Sequence, residues 1–192
     1  MLPSAVRLAA VLFLLGGAPV AAEIIGQRID RAASEEQMTA SLRRIELVDA
    51  SGARLDLTAL LANGKPTLIT LWAHWCPNCR AEIAGFHKIA AACPDKWNIV
   101  FVSSRFEDYA EDLAKFRGFG LPWKIYGVSK RMASDPGEYD ILRAFVGATS
   151  NGEVLTPLHY FVSSKGKVDM IVNARMDFAA PPRLAAFCAD RP

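Results

Sequence analysis

Apolar and polar residues first alternate regularly at Arg44-Ile45-Glu46-Leu47-Val48 and again at Ala53-Arg54-Leu55-Asp56-Leu57, with Ser51-Gly52 between. Two runs of period 2 flanking a turn predict a β-hairpin. The pattern then changes. Thr67 to Ala73 is continuously apolar after Gly64-Lys65-Pro66, as expected of a central strand covered on both faces. Pro77 stands at a helix start, and Ile83, Phe86, Ile89, Ala90 and Cys93 recur at helical spacing until Pro94. Asn98 to Ser103 is a second apolar strand, and Tyr109, Leu113 and Phe116 mark a helix stopped by Gly118 and Gly120. Leu121 to Glu153 is less regular, with a helix expected around Tyr139 to Val146. Leu158 to Ser163 and Val168 to Asn173 flank a turn at Ser164-Lys165-Gly166-Lys167, and a last helix runs from about Ala180 to Ala189. Right-handed crossovers in this order predict one α/β domain: a mixed sheet, helices on both of its faces, and antiparallel strands added by the terminal hairpin.

The start of the chain is of another kind. Arg7 is the only charge before Glu23, Leu8 to Leu15 is apolar, Gly16, Gly17 and Pro19 interrupt it, and Val20-Ala21-Ala22 are small. That is the layout of a secretory signal peptide over 1–22. An uncleaved anchor is the alternative, although a membrane span takes roughly 20 apolar residues. Residues 23–42 are polar with scattered apolar positions and read as a loosely attached lead-in, partly helical after Ser34. The folded domain is expected over 43–192.

Composition narrows the classes. Of 192 residues 52% are hydrophobic, which excludes a disordered or fibrous chain, and 22 basic against 20 acidic side chains leave +2. So balanced a chain has no field to gather nucleic acid. Cys76, Cys79, Cys93 and Cys188 form an even set, and in an oxidising compartment cysteines pair or do redox work.

Cys76-Pro77-Asn78-Cys79 follows a buried strand and opens a helix. Residues three apart on a helix share a face, close enough for a disulfide. At the helix N-terminus unpaired N–H groups and the helix dipole stabilise a thiolate, so Cys76 is the expected nucleophile. Cys79, one turn in and more covered, would resolve the mixed disulfide. A zinc half-site is the competing reading, but no second CxxC or spaced Cys/His pair completes it.

Trp72-Ala73-His74-Trp75-Cys76-Pro77-Asn78-Cys79-Arg80-Ala81-Glu82, with Thr156-Pro157 and the hairpin ending at Lys165-Gly166-Lys167-Val168, resembles the thioredoxin superfamily, and within it the exported TlpA/ResA type. The resemblance covers roughly 43–192 and implies a thioredoxin-like fold with the hairpin as an N-terminal extension. It makes Pro157 a cis-proline against the redox pair, with the Thr156 backbone free to pair with a substrate; an ordinary trans-proline is the alternative. Trp75 and Pro77 would also face substrate. It makes Glu82 a partly buried carboxylate that takes a proton from the resolving thiol, the alternative being a surface glutamate. Thr70 stands where the superfamily carries an acid or an asparagine and cannot act as a base, and Ala84 replaces the usual helix proline. His74 is expected exposed at the rim, the alternative being that its positive form raises the thiolate fraction of Cys76. By period 2 His159 shares a strand face with Pro157 and Phe161; it is expected to be a hydrogen-bonded core histidine, the alternative being that it points toward the active helix, and His87 is expected at the surface. In such a sheet the helices carrying Cys93 and Cys188 lie side by side, so a structural Cys93–Cys188 disulfide is expected; two unbonded buried cysteines are the alternative.

The implied activity is disulfide exchange with protein cysteines, in the reducing direction, by a monomer needing no cofactor beyond the Cys76–Cys79 pair and no metal. Its partners would be protein thiols and disulfides and a membrane protein that donates or accepts electrons. Two other readings stay open: a copper-binding module using Cys76, Cys79 and a nearby His, and a non-enzymatic assembly factor. A peroxidase is disfavoured because no Thr or Arg constellation surrounds a lone cysteine.

Overall fold

The computed structural model describes residues 24–25, 34–147, 154 and 156–189. The segment 1–22, expected to be a signal peptide, lies outside the described residues, as does most of 23–33. Near the start, β1 (Ile24–Ile25) pairs antiparallel with a late strand, β9 (Arg175–Met176).

Helix α1 (Glu35–Leu42) begins with a capping box in which Ser34 and Gln37 satisfy each other's amides. Its Met38 and Leu42 are fully buried, and Thr39 Oγ1 accepts the Val168 amide at 2.9 Å. The lead-in is thus helical from Glu35, as expected after Ser34, and Met38 and Leu42 seat it on the core. The expected hairpin is present as β2 (Leu47–Val48) and β3 (Arg54–Leu55). It is shorter than the alternation suggested because Asp56 accepts the Ala59 amide at 2.8 Å and caps α2 (Leu57–Leu61).

The centre follows the apolar runs. Strand β4 (Thr67–Trp72) leads to α3 (Pro77–Ala92), then β5 (Asn98–Ser103) and α4 (Tyr109–Arg117). The stretch read as irregular holds a strand the pattern did not reveal, β6 (Ile125–Val128), followed by α5 (Lys130–Ser134), a 3-10 turn and α6 (Tyr139–Phe145). β6 is short and interrupted by Gly127, whose missing side chain has a reason: a Cβ there would stand 2.8 Å from the Tyr109 ring of α4. Strands β7 (Leu158–Val162) and β8 (Val168–Val172), then β9 and α7 (Pro181–Cys188), complete the chain.

Seven strands form one mixed sheet in the order β3-β2-β6-β5-β4-β7-β8. β4, β5 and β6 are mutually parallel, and β7 runs antiparallel to β4. Alternate residues divide the core into two layers. Ile69, Leu71, Val100, Val102, Leu158 and Tyr160 face a cluster with residues of α1, α2, α5 and α6, whereas Leu68, Trp72, Ile99 and Phe101 face α3, α4 and α7. Successive right-handed crossovers moving one way across a sheet put both helices on one face, as α3 and α4 are here. The opposite face is covered by α1 and by helices of the segment after β6.

Cys93, capping the end of α3, is bonded to Cys188 of α7, with 5.6 Å between their Cα atoms. Trp97 reinforces that contact, stacking on Phe187 at 4.5 Å and donating to its carbonyl at 2.9 Å. Closing a loop this long lowers the entropy of the unfolded chain. Replacing Cys93 and Cys188 together by Ala should cost about 2–5 kcal/mol in urea unfolding, with the secondary structure unchanged by circular dichroism.

Candidate active site

The site begins where β4 ends. The Cys76 amide donates to the Ala73 carbonyl at 3.2 Å, and Cys76, in an extended conformation, becomes the N-cap of α3. Its sulfur accepts the Cys79 amide at 3.2 Å, and Pro77 occupies the first helical position, where no N–H is needed. Both thiols are free. Cys76 is 3% exposed and Cys79 is fully enclosed. The Thr156–Pro157 bond is cis, and the Cys76 thiol lies 3.6 Å from the Thr156 carbonyl. Pro157 is buried, while Pro77 and Trp75 are exposed.

These surroundings separate the two sulfurs. Hydrogen bonding from the Cys79 thiol, helped by the Thr156 side chain and the amides of Cys79 and Asn78, outweighs desolvation and draws Cys76 from 9.0 to about 6. Desolvation pushes Cys79 far upward, and the hydrogen bond with Cys76 and the negative charges of Cys76 and Glu82 add to the rise. One sulfur is prepared to ionise and the other to keep its proton.

Behind the pair, Thr70 and His159 sit opposite each other in the β4–β7 register, on the α3 side of the sheet. Thr70 Oγ1 is 3.2 Å from His159 Nδ1, and His159 Nε2 is 3.1 Å from Glu82 Oε1. The same oxygen accepts the Met176 amide from β9. Glu82 is 2% exposed, so the surface reading does not hold. Gly85 lets α3 approach this edge, since a Cβ there would come within 2.8 Å of the Phe178 Cβ.

The rim contains residues that sequence reasoning missed. His74, read as exposed, is instead held by carboxylates: Nδ1 is 2.8 Å from Asp112 Oδ1 and Nε2 is 3.1 Å from Glu111. Asp112, fully buried, also accepts the His74 amide and the Ser103 hydroxyl, both at 2.6 Å. Trp75 donates to Asp108 at 2.8 Å, and the Arg105 guanidinium lies 4.8 Å over its ring. Asp112 left a signal in the sequence: it falls on the stripe of Tyr109 and Phe116, where a charge needs a partner. His87 is exposed. Among the described residues no three His, Cys, Asp or Glu side chains gather to ligate a metal.

A CxxC pair at a strand-to-helix junction, facing a cis-proline across a mixed sheet, defines the class of thioredoxin-like α/β proteins. Within that class the sequence pattern described as the AhpC/TSA family matches residues 38–171, and the chain belongs to that family. It is 32% identical over 78 residues to the chloroplastic thioredoxin-like protein HCF164 of Arabidopsis thaliana, covering 41% of this chain and 30% of that protein. It is 44% identical over 48 residues to the thiol:disulfide interchange protein DsbE of Yersinia pestis, covering 25% of each. The matches thus span less than a third of these relatives. Among solved structures, a secreted Mycobacterium tuberculosis disulfide oxidoreductase superposes with a TM-score of 0.52 at 21% identity, covering 77% of this chain and 97% of that one. A thiol:disulfide interchange protein from Bacteroides sp. gives 0.53 at 19%, covering 76% and 86%. Both share the fold.

The low Cys76 pKa links redox state to stability. A thiol whose folded pKa lies below its unfolded value stabilises the fold fully above the unfolded value, and that contribution is lost as pH falls through the folded one. From pH 6 to 9 the reduced protein should gain stability relative to the oxidised protein in urea unfolding, and Cys76→Ser should remove the gain. Asp112→Ala should cost about 1–3 kcal/mol by leaving buried donors unpaired, measured the same way.

Proposed function

We propose that this protein is an exported thiol–disulfide oxidoreductase that reduces disulfides in partner proteins. The observation that carries the reading is the asymmetric pair: Cys76 held at about 6 beside an enclosed Cys79 that retains its proton. At pH 7 roughly nine-tenths of such a Cys76 is thiolate, the form that attacks disulfides.

The thiolate attacks one sulfur of a substrate disulfide, forming a Cys76–substrate bond and expelling the other sulfur with the electron pair. Cys79 then loses its proton and attacks the Cys76 sulfur. The Cys76–Cys79 disulfide forms, and the second substrate sulfur leaves as thiolate. Two electrons reach the substrate. Two more, from a dithiol on a membrane reductase, restore the pair. Trp75, 39% exposed, with Pro77 and the Thr156-Pro157 turn, surrounds the point of attack and would seat an extended substrate segment. Glu82, behind Cys79, would take the Cys79 proton.

The names of DsbE and its relatives as thiol:disulfide interchange proteins support the activity. The apolar segment 8–22 supports export, and no helix among the described residues is long and apolar enough to cross a membrane. The reducing direction is supported by the extent of thiolate stabilisation. Thioredoxin pairs a nucleophile pKa of about 7 with about −270 mV, and the oxidant DsbA pairs about 3.5 with about −120 mV. A value near 6 stands on the thioredoxin side.

Trapping tests the reading. Cys79→Ser should accumulate mixed disulfides with protein substrates and Cys76→Ser none, as seen by non-reducing electrophoresis, and insulin reduction should fail in both. Unimpaired reduction by Cys76→Ser would refute it.

A further inference from the structure

Glu82 has two unequal oxygens. Oε1 receives the Met176 amide and lies 3.1 Å from His159 Nε2, while Oε2 is buried with no hydrogen-bond partner among the described residues. His159 is itself fully buried, and its other nitrogen lies 3.2 Å from the Thr70 hydroxyl. A neutral imidazole carries one N–H. An ionised Glu82 only accepts, so the network assigns that proton to Nε2 and makes Nδ1 the acceptor of the Thr70 hydroxyl. The ring is thereby fixed, and two donors fix Oε1. Only Oε2 remains to take up a proton.

We propose that His159, oriented by Thr70, is a positioning residue for the resolving step, holding Glu82 so that Oε2 receives the Cys79 proton as Cys79 attacks the mixed disulfide. The inference rests on the reading that Cys76 attacks and Cys79 resolves. In the step the Cys79 sulfur bonds to the Cys76 sulfur, and the bond from Cys76 to substrate breaks. Its electron pair leaves on the substrate sulfur, and the Cys79 proton passes to Oε2. After release Glu82 is neutral, with Oε1 still accepting from both donors, so the transfer breaks neither of its hydrogen bonds. Cys79 and Glu82 stand three residues apart on α3, both buried on one face of the helix, and the Glu82 charge adds to the rise of the Cys79 thiol.

Other groups bear on Glu82. Cys76 and Cys79 share the start of its helix, and Arg175 and Asp177 flank Met176, the residue whose amide it accepts. A donor to an ionised carboxylate favours the ionised form, so loss of the His159 N–H should move the pH dependence of release upward. Thr70 fills the position where the superfamily carries an acid or an asparagine. Here that position serves the carboxylate through an imidazole rather than supplying one.

Single-turnover reaction of reduced protein with a disulfide-bonded peptide, quenched with acid and resolved by chromatography, separates attack by Cys76 from release by Cys79. His159→Phe should leave attack within about twofold of the native rate, slow release about tenfold or more, and move the pH midpoint of release upward. His159→Gln, which keeps an N–H near Glu82, should restore most of the rate. Thr70→Val should shift the midpoint in the same direction as His159→Phe, and it serves as the test should the phenylalanine variant fail to fold. On a Glu82→Gln background His159→Phe should slow release no further. Release by His159→Phe or Thr70→Val that matches the native protein at every pH would overturn the proposal, as would slowing that persists in full without Glu82. Absence of the first attack in the native protein would overturn the reading beneath it instead, and the proposal with it.

Discussion

The hydrogen bond from the Cys79 amide to the Cys76 sulfur depends on where a helix starts. It forms because β4 ends at Trp72, the chain turns through Ala73, and Cys76 caps α3 with Pro77 at the first helical position. Shifting that start by one residue would give the amide to another atom and remove the stabilised thiolate. The end of α3 is constrained as well, by the bond from Cys93 to Cys188 and by Trp97 against Phe187. The helix bearing the chemistry is therefore held at both ends by different means, a polar cap at one and covalent and aromatic contacts at the other.

The sheet supplies the second half of the site. Period 2 along β4 sends Ile69 and Leu71 to one core layer and Thr70 to the other, and along β7 it sends Leu158 and Tyr160 one way and His159 the other. One face is almost wholly apolar. The other admits Thr70, His159 and Glu82, from two strands and a helix, and separately the Ser103–Asp112 pair. Buried polar groups of this kind are tolerated only when they satisfy one another. Thr70, His159 and Glu82 are joined in a line that ends at Glu82 Oε2, buried with no hydrogen-bond partner among the described residues, one helical turn from the resolving cysteine.

The fold could be read from sequence wherever the pattern was local. The apolar runs of β4 and β5, the helical spacing after Pro77, and the hairpin around Lys165-Gly166 all appear as elements within a few residues of their expected ends. β6 escaped because four residues with a glycine carry too little periodicity, and Gly127 is needed for the approach of Tyr109, a contact no local window contains. Met38 and Leu42 looked like scattered apolar residues in a polar lead-in, because the surface they cover is formed by strands more than a hundred residues later. At the site Cys76, Cys79 and Pro77 could be found from spacing alone. Whether Glu82 was buried could not, since that depends on Met176 and His159, brought to it by β9 and β7. His74 was misjudged for the same reason: its partner Asp112 belongs to the next helix.

The two sulfurs of one motif differ sharply in acidity. Carbon-13 chemical shifts of the two cysteine Cβ atoms, followed by NMR in reduced, selectively labelled protein from pH 4 to pH 9, report each sulfur by itself. Cys76 should titrate with a midpoint near 6 while Cys79 shows no ionisation of its own across the range. A Cys76 midpoint close to that of free cysteine, or two sulfurs that titrate alike, would contradict it.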